Sequence, residues 1–498
     1  MRYTKILAGC LLAAVLMPTQ AAELGVLAPV MVGDKPQFRK HGQGKPAPVV
    51  TRVVDGELYT QLQGQARDGF VATVLALDES AQRAAGAREI RPTWLYMSAE
   101  DGGFARQGFW LQENGKQRFV DEPYVDLVVD QGSVGNGDFE EIFAHEMGHV
   151  CLRRLVPDLP PGYSHTPHAS MSITDYSTAF DEGFATHFQG LARRLTSNPK
   201  LREQELGLSA KPFLGYWMSN LDRAGRIEGV RRNWFVQSQL LPPGDEATAL
   251  ARRDLSTAFD TARLRDGQQM LSSEGVIATI FYRWMVPGPE DREAVVQRYS
   301  RLFASFAHRD GRRLRHDSPV LLDLVDRYCS DAADDCKRVQ AVVLDTTYGA
   351  TTGRELPSLT ESLAATGRLG DMESYVGGLK QARAQMAQLQ ELVAKEPAKL
   401  RAGLGPDLWL LAAGQHLGWR AESDVVAVNL NTAEPESLML LPGIDRAAAE
   451  RALASRRKDG VFADLEDFVR RTGADDSTAQ KLRQAAEAAR KAGPYDRI

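Results

Sequence analysis

The chain has 498 residues, of which 43% are hydrophobic and 25% charged, and a formal net charge of −5. That length exceeds one ordinary hydrophobic core, so roughly two to four domains are expected, and the composition is that of a soluble globular protein. The mild acidity excludes a global electrostatic pull toward nucleic acid or anionic membrane, so contact with a polyanion needs a local patch.

At the N-terminus, MRYTKILAGCLLAAVLMPTQAAE places Arg2 and Lys5 before an apolar run from Ile6 to Met17, followed by Pro18 and the small residues Ala21 and Ala22. This pattern predicts a secretory signal peptide over 1–22 and a periplasmic or secreted protein. The run is too short to cross hydrocarbon, and no transmembrane segment is predicted after it. Leu7-Ala8-Gly9-Cys10 resembles the lipobox of bacterial lipoproteins, but the apolar run continues past it, so Cys10 is read as part of that run and not as a lipid anchor. Beyond the signal stand Cys151, Cys329 and Cys336. In an oxidising compartment Cys329 and Cys336 can form a local disulfide, which leaves Cys151 as a buried free thiol.

Residues 23–48, rich in Gly, Pro and Lys, read as an extended lead-in. Over 49–130 the signals are those of a sheet lobe, with strands in RVVDGELYTQL, VATVLAL, PTWLYMS, GFWLQ, QRFVD and YVDLVVD, and Asn114-Gly115 as a tight turn. Residues 131–345 read as a helical lobe with breaks at PDLPPGY and LLPPGDE, 346–424 as a helical connector, and 425–498 as short helices around a Pro-Gly turn. Strands first and helices later predict an α+β class ahead of the connector.

Within GNGDFEEIFAHEMGHVCLRRLVP, Asp138 and Glu141 are spaced as an N-cap and its return partner, and the helix should run to about Leu155, where Val156-Pro157 stops it. On that helix His145 and His149 lie one turn apart on one face, where two imidazoles can reach one ion. Glu146, next around the helix, can address a water on that ion. A His-Glu-x-x-His pattern arises by chance in roughly one such sequence in a hundred. Here it sits mid-helix among Ile142, Phe143, Met147 and Val150, where unpaired imidazoles would be costly to bury.

A catalytic zinc needs a third protein ligand and an open position for water. The stretch after His149, HVCLRRLVPDL, lacks the Gly and His that metzincins place there. Farther on, TAFDEGFATHFQGLARRL carries Glu182-Gly183-Phe184-Ala185, and here the sequence resembles the gluzincin clan of zinc metallopeptidases over roughly residues 90–290. The resemblance implies a zincin-like domain, a mixed sheet over an active-site helix with a cleft between two lobes. It also implies one Zn2+ held by His145, His149 and Glu182, with Glu146 as general base and a peptide or protein substrate. The chain departs from particular families in that clan: it has no Gly-x-Met-Glu-Asn motif, and Thr186 stands where thermolysin-like enzymes carry an acidic residue.

Glu274, in QMLSSEGVIATIFYRW, competes for the role of third ligand. Its other reading is a first-turn acid that suits the dipole of a helix capped by Ser272 or Ser273. His165 and His168, in YSHTPHAS, read as a cleft rim. Tyr176, Tyr282 and His187 are candidates by residue type to stabilise an oxyanion, although His187 points well around the helix from Glu182.

The C-terminal NLNTAEPESLMLLPGIDRAAAERALASRRKDGVFADLEDFVRRTG resembles the helix-hairpin-helix domain of the bacterial competence DNA-receptor type over about 425–490. In that family the turn's backbone amides, here around Gly443 and Ile444, bind a DNA phosphate. This chain has Asp445 in place of the second glycine, and from Val425 onward its twelve basic residues are balanced by twelve acidic ones. Arg456, Arg457 and Lys458 form a cluster that could touch a phosphate backbone or be a solvated helix end. Together these features predict an exported zinc metallopeptidase with a helix-hairpin-helix appendage. The alternative from another class is a periplasmic DNA-binding or DNA-uptake protein that uses the zincin-like domain as scaffold. A third is metal-dependent hydrolysis of a non-peptide substrate.

Overall fold

The computed structural model of the protein describes residues 23–493 apart from 101, 165–167, 211–222, 237–263, 287–290, 308–317, 354–371 and 414–424. The expected signal peptide with Cys10, the LLPPGDE break and His165 lie outside the described residues. It is a mixed α and β structure in which a closed ring of strands stands beside a helical body, with a small helix-hairpin-helix unit at the C-terminus.

The ring runs β1 (Leu24–Pro29), β6 (Thr93–Met97), β8 (Lys116–Leu127), β7 (Gly103–Glu113) and β5 (Pro46–Arg52), and β5 closes back on β1. Three short strands lie between β1 and β5 in the chain: β2 (Met31–Val32), β3 (Lys35–Pro36) and β4 (Phe38–Lys40), and only β4 joins the ring, along β5. β7 and β8 form an antiparallel hairpin through Asn114 and Gly115, whose φ angles of 51° and 73° are the left-handed pair a two-residue turn needs. Alternation along the strands gives the ring two cores. Leu27, Val50, Trp94, Tyr96, Phe109, Leu111, Val120 and Tyr124 fill its inside, while Leu24, Val26, Leu95, Val125 and Leu127 face the helices.

The lead-in 23–48 is extended but built into and beside the ring as β1 to β4 and the start of β5. The region 49–130, expected as a sheet lobe, is not all strand. RVVDGELYTQL ends in helix α1 (Glu57–Asp68), and VATVLAL lies within α2 (Phe70–Ala84). Val71, Ala72, Val74, Leu75 and Leu77 are buried around nearly the whole circumference of α2. A helix buried on every side shows no amphipathic period, so its short apolar run reads as a core strand.

The helical body is built on α4 (Asp138–Leu155), which follows the one-and-a-half-turn α3 (Gln131–Asn136), and on α5 (Tyr176–Leu195). The predicted Asp138 cap is not formed. Gly137, at φ 90°, is the N-cap, and Asp138 opens the helix paired with Arg223. Glu141 pairs instead with Arg193 of α5 through two bonds of 2.6 and 2.9 Å. Backbones approach closely at two glycines. A Cβ on Gly148 would lie 2.6 Å from Ala185 Cα, and one on Gly183 would lie 2.6 Å from Ile277 Cβ. These glycines let α4, α5 and helix Glu274–Met285 converge, which is the structural reason for glycine after Glu182.

Cys329 and Cys336 are joined by a disulfide between helices Val320–Asp331 and Ala333–Thr347, and Cys151 is a buried free thiol. The connector 346–424 is helical only in part. Helix Met372–Lys395 packs Leu389 and Val393 into the main core, whereas β9 (Trp409–Ala413) pairs antiparallel with β10 (Val425–Asn429) and belongs to the C-terminal unit. Among the described residues no helix is long and apolar enough to cross a membrane.

Candidate metal centre

α4 presents His145 and His149 on one face, with ring centroids 5.1 Å apart and planes nearly perpendicular. From α5, Glu182 Oε2 lies 3.7 Å from His145 Nε2 and 3.7 Å from His149 Nε2. Bonds of about 2.0–2.1 Å to a tetrahedral zinc would hold its ligand atoms about 3.3 Å apart, so a small closure of these three atoms satisfies the ion. The donor set, two neutral imidazoles and one carboxylate, is the chemistry zinc takes, and the three residues therefore fit the ion.

Acidic groups surround the imidazoles. Asp181 Oδ1 lies 2.6 Å from His149 Nδ1, so it fixes the ring and leaves Nε2 facing Glu182. Burial opposes a charge on His149, but Asp181 and Glu182 outweigh it and raise its imidazole well above the usual range. Burial likewise pushes the Glu182 carboxyl up, and His149 and His145 overcome this to hold it well below. The centre of this group is thus electrostatically matched to a cation. His145 Nδ1 is buried with no hydrogen-bond partner among the described residues. The acidic partner of His149 stands at 181, one residue before Glu182, and nothing in the motif pointed to it.

Glu146 is buried beside the start of β7. A Cβ on Gly103 would stand 2.7 Å from Glu146 Oε1 and 2.8 Å from Ile142 Cγ2, so only glycine lets the strand backbone run this close to the carboxylate. Arg153, two turns along α4, donates to Ala105 O of β7, pinning the strand to the helix. Its guanidinium lies in the field of Asp181 and Glu146, although burial dominates and lowers its pKa.

The three oxyanion candidates do not reach this point. His187 is fully buried, bonded to Phe184 O and, at 2.7 Å, to Tyr299 Oη, and burial pushes it down to about 3. It is a core residue. Tyr176 is buried at the start of α5, where Asp407 and Asp266 are the charges that act on it after burial itself. Tyr282 packs its ring over Gly190, two turns of α5 beyond Glu182. His168 does reach the site, from the loop before α5: its Nδ1 is 3.4 Å from Glu182 Oε2 and 3.8 Å from Glu274 Oε2. Glu274 is buried in the first turn of its helix and accepts at Oε1 from Ser170 Oγ at 3.0 Å and Thr186 Oγ1 at 2.9 Å. Ser273 is the N-cap of that helix by position, without a side-chain cap bond. Thr186, a departure from the thermolysin-like pattern, has its own use here as the donor that fixes Glu274.

In the C-terminal unit the residues proposed for phosphate are mostly engaged. Gly443 (φ 82°) backs onto Thr478 and Ile444 is buried. Asp445 caps helix Arg446–Asp459, its side chain accepting from Ala448 N at 2.7 Å, and Asp475 caps helix Asp476–Ala492 in the same way. Each hairpin thus fills its own helix N-terminus with a carboxylate, where an anion would otherwise bind. Arg456 is buried, donating to Leu430 O and Ala433 O and lying 3.0 Å from Asp266 Oδ2, so it joins the unit to the main body. Arg457 and Lys458 remain exposed. Asn431 bridges Pro406 O and Phe462, and Trp409 stacks on Tyr163 of the loop that carries His168.

A family described as a helix-hairpin-helix motif matches residues 423–486, which is the C-terminal unit from just before β10 into its last helix. No curated protein and no solved structure matches the chain. The helix-hairpin-helix assignment makes nucleic acid a candidate partner for this unit, and it does not extend to the region of His145, Glu146, His149 and Glu182.

Proposed function

We propose that this protein is an exported zinc-dependent metallopeptidase with a zincin-like catalytic domain, whose ion is held by His145, His149 and Glu182. The observation that carries the reading is the convergence of three donor atoms from α4 and α5 beside a buried Glu146. Held by His145, His149 and Glu182, zinc would lower the pKa of a water toward neutrality and polarise a scissile carbonyl. Glu146 is placed to take a proton from an attacking water and return it to the leaving amine, as general base and then acid. Asp181 holds His149 in the tautomer that frees Nε2. Gly103 and Arg153 keep β7 against Glu146, so the carboxylate has one position from which to work.

The experiment is hydrolysis of a broad peptide library by the full chain and by Glu146→Gln, with zinc measured in both. Activity in the wild type, lost in the variant while zinc stays bound, supports the reading. Equal inertness of the two removes the peptidase, and hydrolysis of esters or glycans alone redirects it to a non-peptide substrate.

The helix-hairpin-helix match favours a second reading, a periplasmic protein that binds or takes up DNA and uses the rest of the chain as scaffold. The carboxylate caps at Asp445 and Asp475 weigh against phosphate contact through the turns. A retardation assay with DNA over a range of salt tests it, because phosphate contacts give affinity that falls steeply as salt rises.

A further inference from the structure

His168, Glu182 and Glu274 bring a second set of donor atoms together immediately beside the first, all within 4.8 Å of one another, and Glu182 belongs to both sets. Glu274 is only 2% exposed, and its two oxygens differ. Oε1 takes the hydroxyls of Ser170 and Thr186, whereas Oε2 is buried with no hydrogen-bond donor among the described residues and points toward His168 Nδ1, 3.8 Å away. A buried carboxylate oxygen left without a donor, next to a second carboxylate, costs free energy unless a cation sits between them.

The loop is built to hold this arrangement. Thr174 N donates to Ser272 O at 2.8 Å, Gly275 N donates to Ser170 O at 3.0 Å, and Ile173 bridges Ser273, so residues 170–174 are clamped to the start of the Glu274 helix. Buried Arg265 adds bonds to Met171 O and Ser273 Oγ. His168, half exposed at the rim, is thereby carried to Glu182 Oε2 at a separation of 3.4 Å, close to the edge of a metal coordination sphere.

We propose that His168, Glu182 and Glu274 form a second divalent-cation site, with Glu182 bridging it to the ion of His145 and His149, so that the centre is dinuclear. The second site has one imidazole and two carboxylates, a set suited to Zn2+ or Mn2+. Bridged ions in such centres lie about 3.5–4 Å apart and clamp both the attacking and the departing oxygen of a displacement. The inference rests on the metal reading of the first site, and it explains why the chain spends a buried glutamate, a threonine and a serine next to an otherwise sufficient three-ligand set.

The test is metal stoichiometry on the full chain, equilibrated with excess Zn2+ and separately with Co2+, for wild type, His168→Ala, Glu274→Gln and His145→Ala. The expected result is two ions per chain in the wild type, one in His168→Ala and one in Glu274→Gln, with magnetic coupling between the two Co2+ ions of the wild type that both variants abolish. His168 is half exposed, so its replacement leaves the core untouched if Glu274→Gln fails to fold. One ion in the wild type, unchanged in His168→Ala and lost in His145→Ala, overturns the second site and leaves the first. Two ions retained in His168→Ala also overturns it. No ion in the folded wild type overturns both readings.

Discussion

The groups around His145 and those around Gly443 make opposite use of the same elements, a helix start, a glycine and a few charged side chains. At the first, donor atoms from α4, α5, the loop before α5 and helix Glu274–Met285 face one another across 3.4–3.8 Å, and the charges around them favour a cation. At the second, each helix N-terminus is already satisfied by Asp445 or Asp475, and Arg456 is spent on carbonyls and Asp266. The family match falls on the second region and the unspent chemistry on the first. A motif carries function only where its donors are left over after folding, and that can be read from the partners of each atom but not from the motif.

Removing the central groups is the strongest way to break the contrast. Glu146→Gln is expected to lower hydrolysis by about 10²–10⁴-fold with zinc content unchanged, as metal analysis beside a rate assay will check. Arg193→Ala should cost about 3–5 kcal/mol in denaturant unfolding, because it takes from buried Glu141 its two close bonds between α4 and α5 and leaves Arg223 3.8 Å away. If it costs under about 1 kcal/mol, the two helices are not held by that pair.

The junction between the regions has its own signature. Asp407 is pushed up to about 7, first by burial and then by Asp175, against the bonds it accepts from Asn429 and Gln268. Its folded pKa lies above the unfolded value, so the folded state holds the extra proton between about pH 4 and 7, and stability falls as pH rises through that window. Asp407→Asn should therefore flatten stability between pH 5 and 8 by about 2 kcal/mol, measured by urea unfolding. An unchanged slope would place the titration elsewhere. Gly183→Ala is expected to destabilise by about 1–3 kcal/mol by forcing apart α5 and helix Glu274–Met285. The smallest effect sharpens the other side of the comparison. Asp445→Gly should change stability by only a few tenths of a kcal/mol, and it frees the hairpin amides, so salt-sensitive DNA retardation that appears in the variant alone shows the aspartate to be what closes the turn.

Part of this could be seen in the residues themselves. The helix through His145 and His149, its stop at Val156, the Asn114-Gly115 turn and the pairing of Cys329 with Cys336 depend on local spacing and chemistry, and each is present. α2 reads as a strand because a helix buried on all sides loses its period, whereas α1, with only Leu62 fully buried, follows a strand-like RVV start and begins after its N-cap Gly56. The Asp138 cap failed because Arg193, 52 positions from Glu141, competes for its return partner. Asp181, Gly103 and Thr186 depend on which helix or strand lies opposite, so their roles emerge only from the packed structure.

The central claim is that His145, His149 and Glu182 bind zinc. X-ray absorption at the zinc edge on the full chain, with His149→Ala as control, tests it most directly. The account predicts bound zinc with a shell of imidazole nitrogen and carboxylate oxygen at about 2.0–2.2 Å, altered or lost in the variant. A folded wild type that takes up no zinc, or whose zinc shell is the same in His149→Ala, contradicts it.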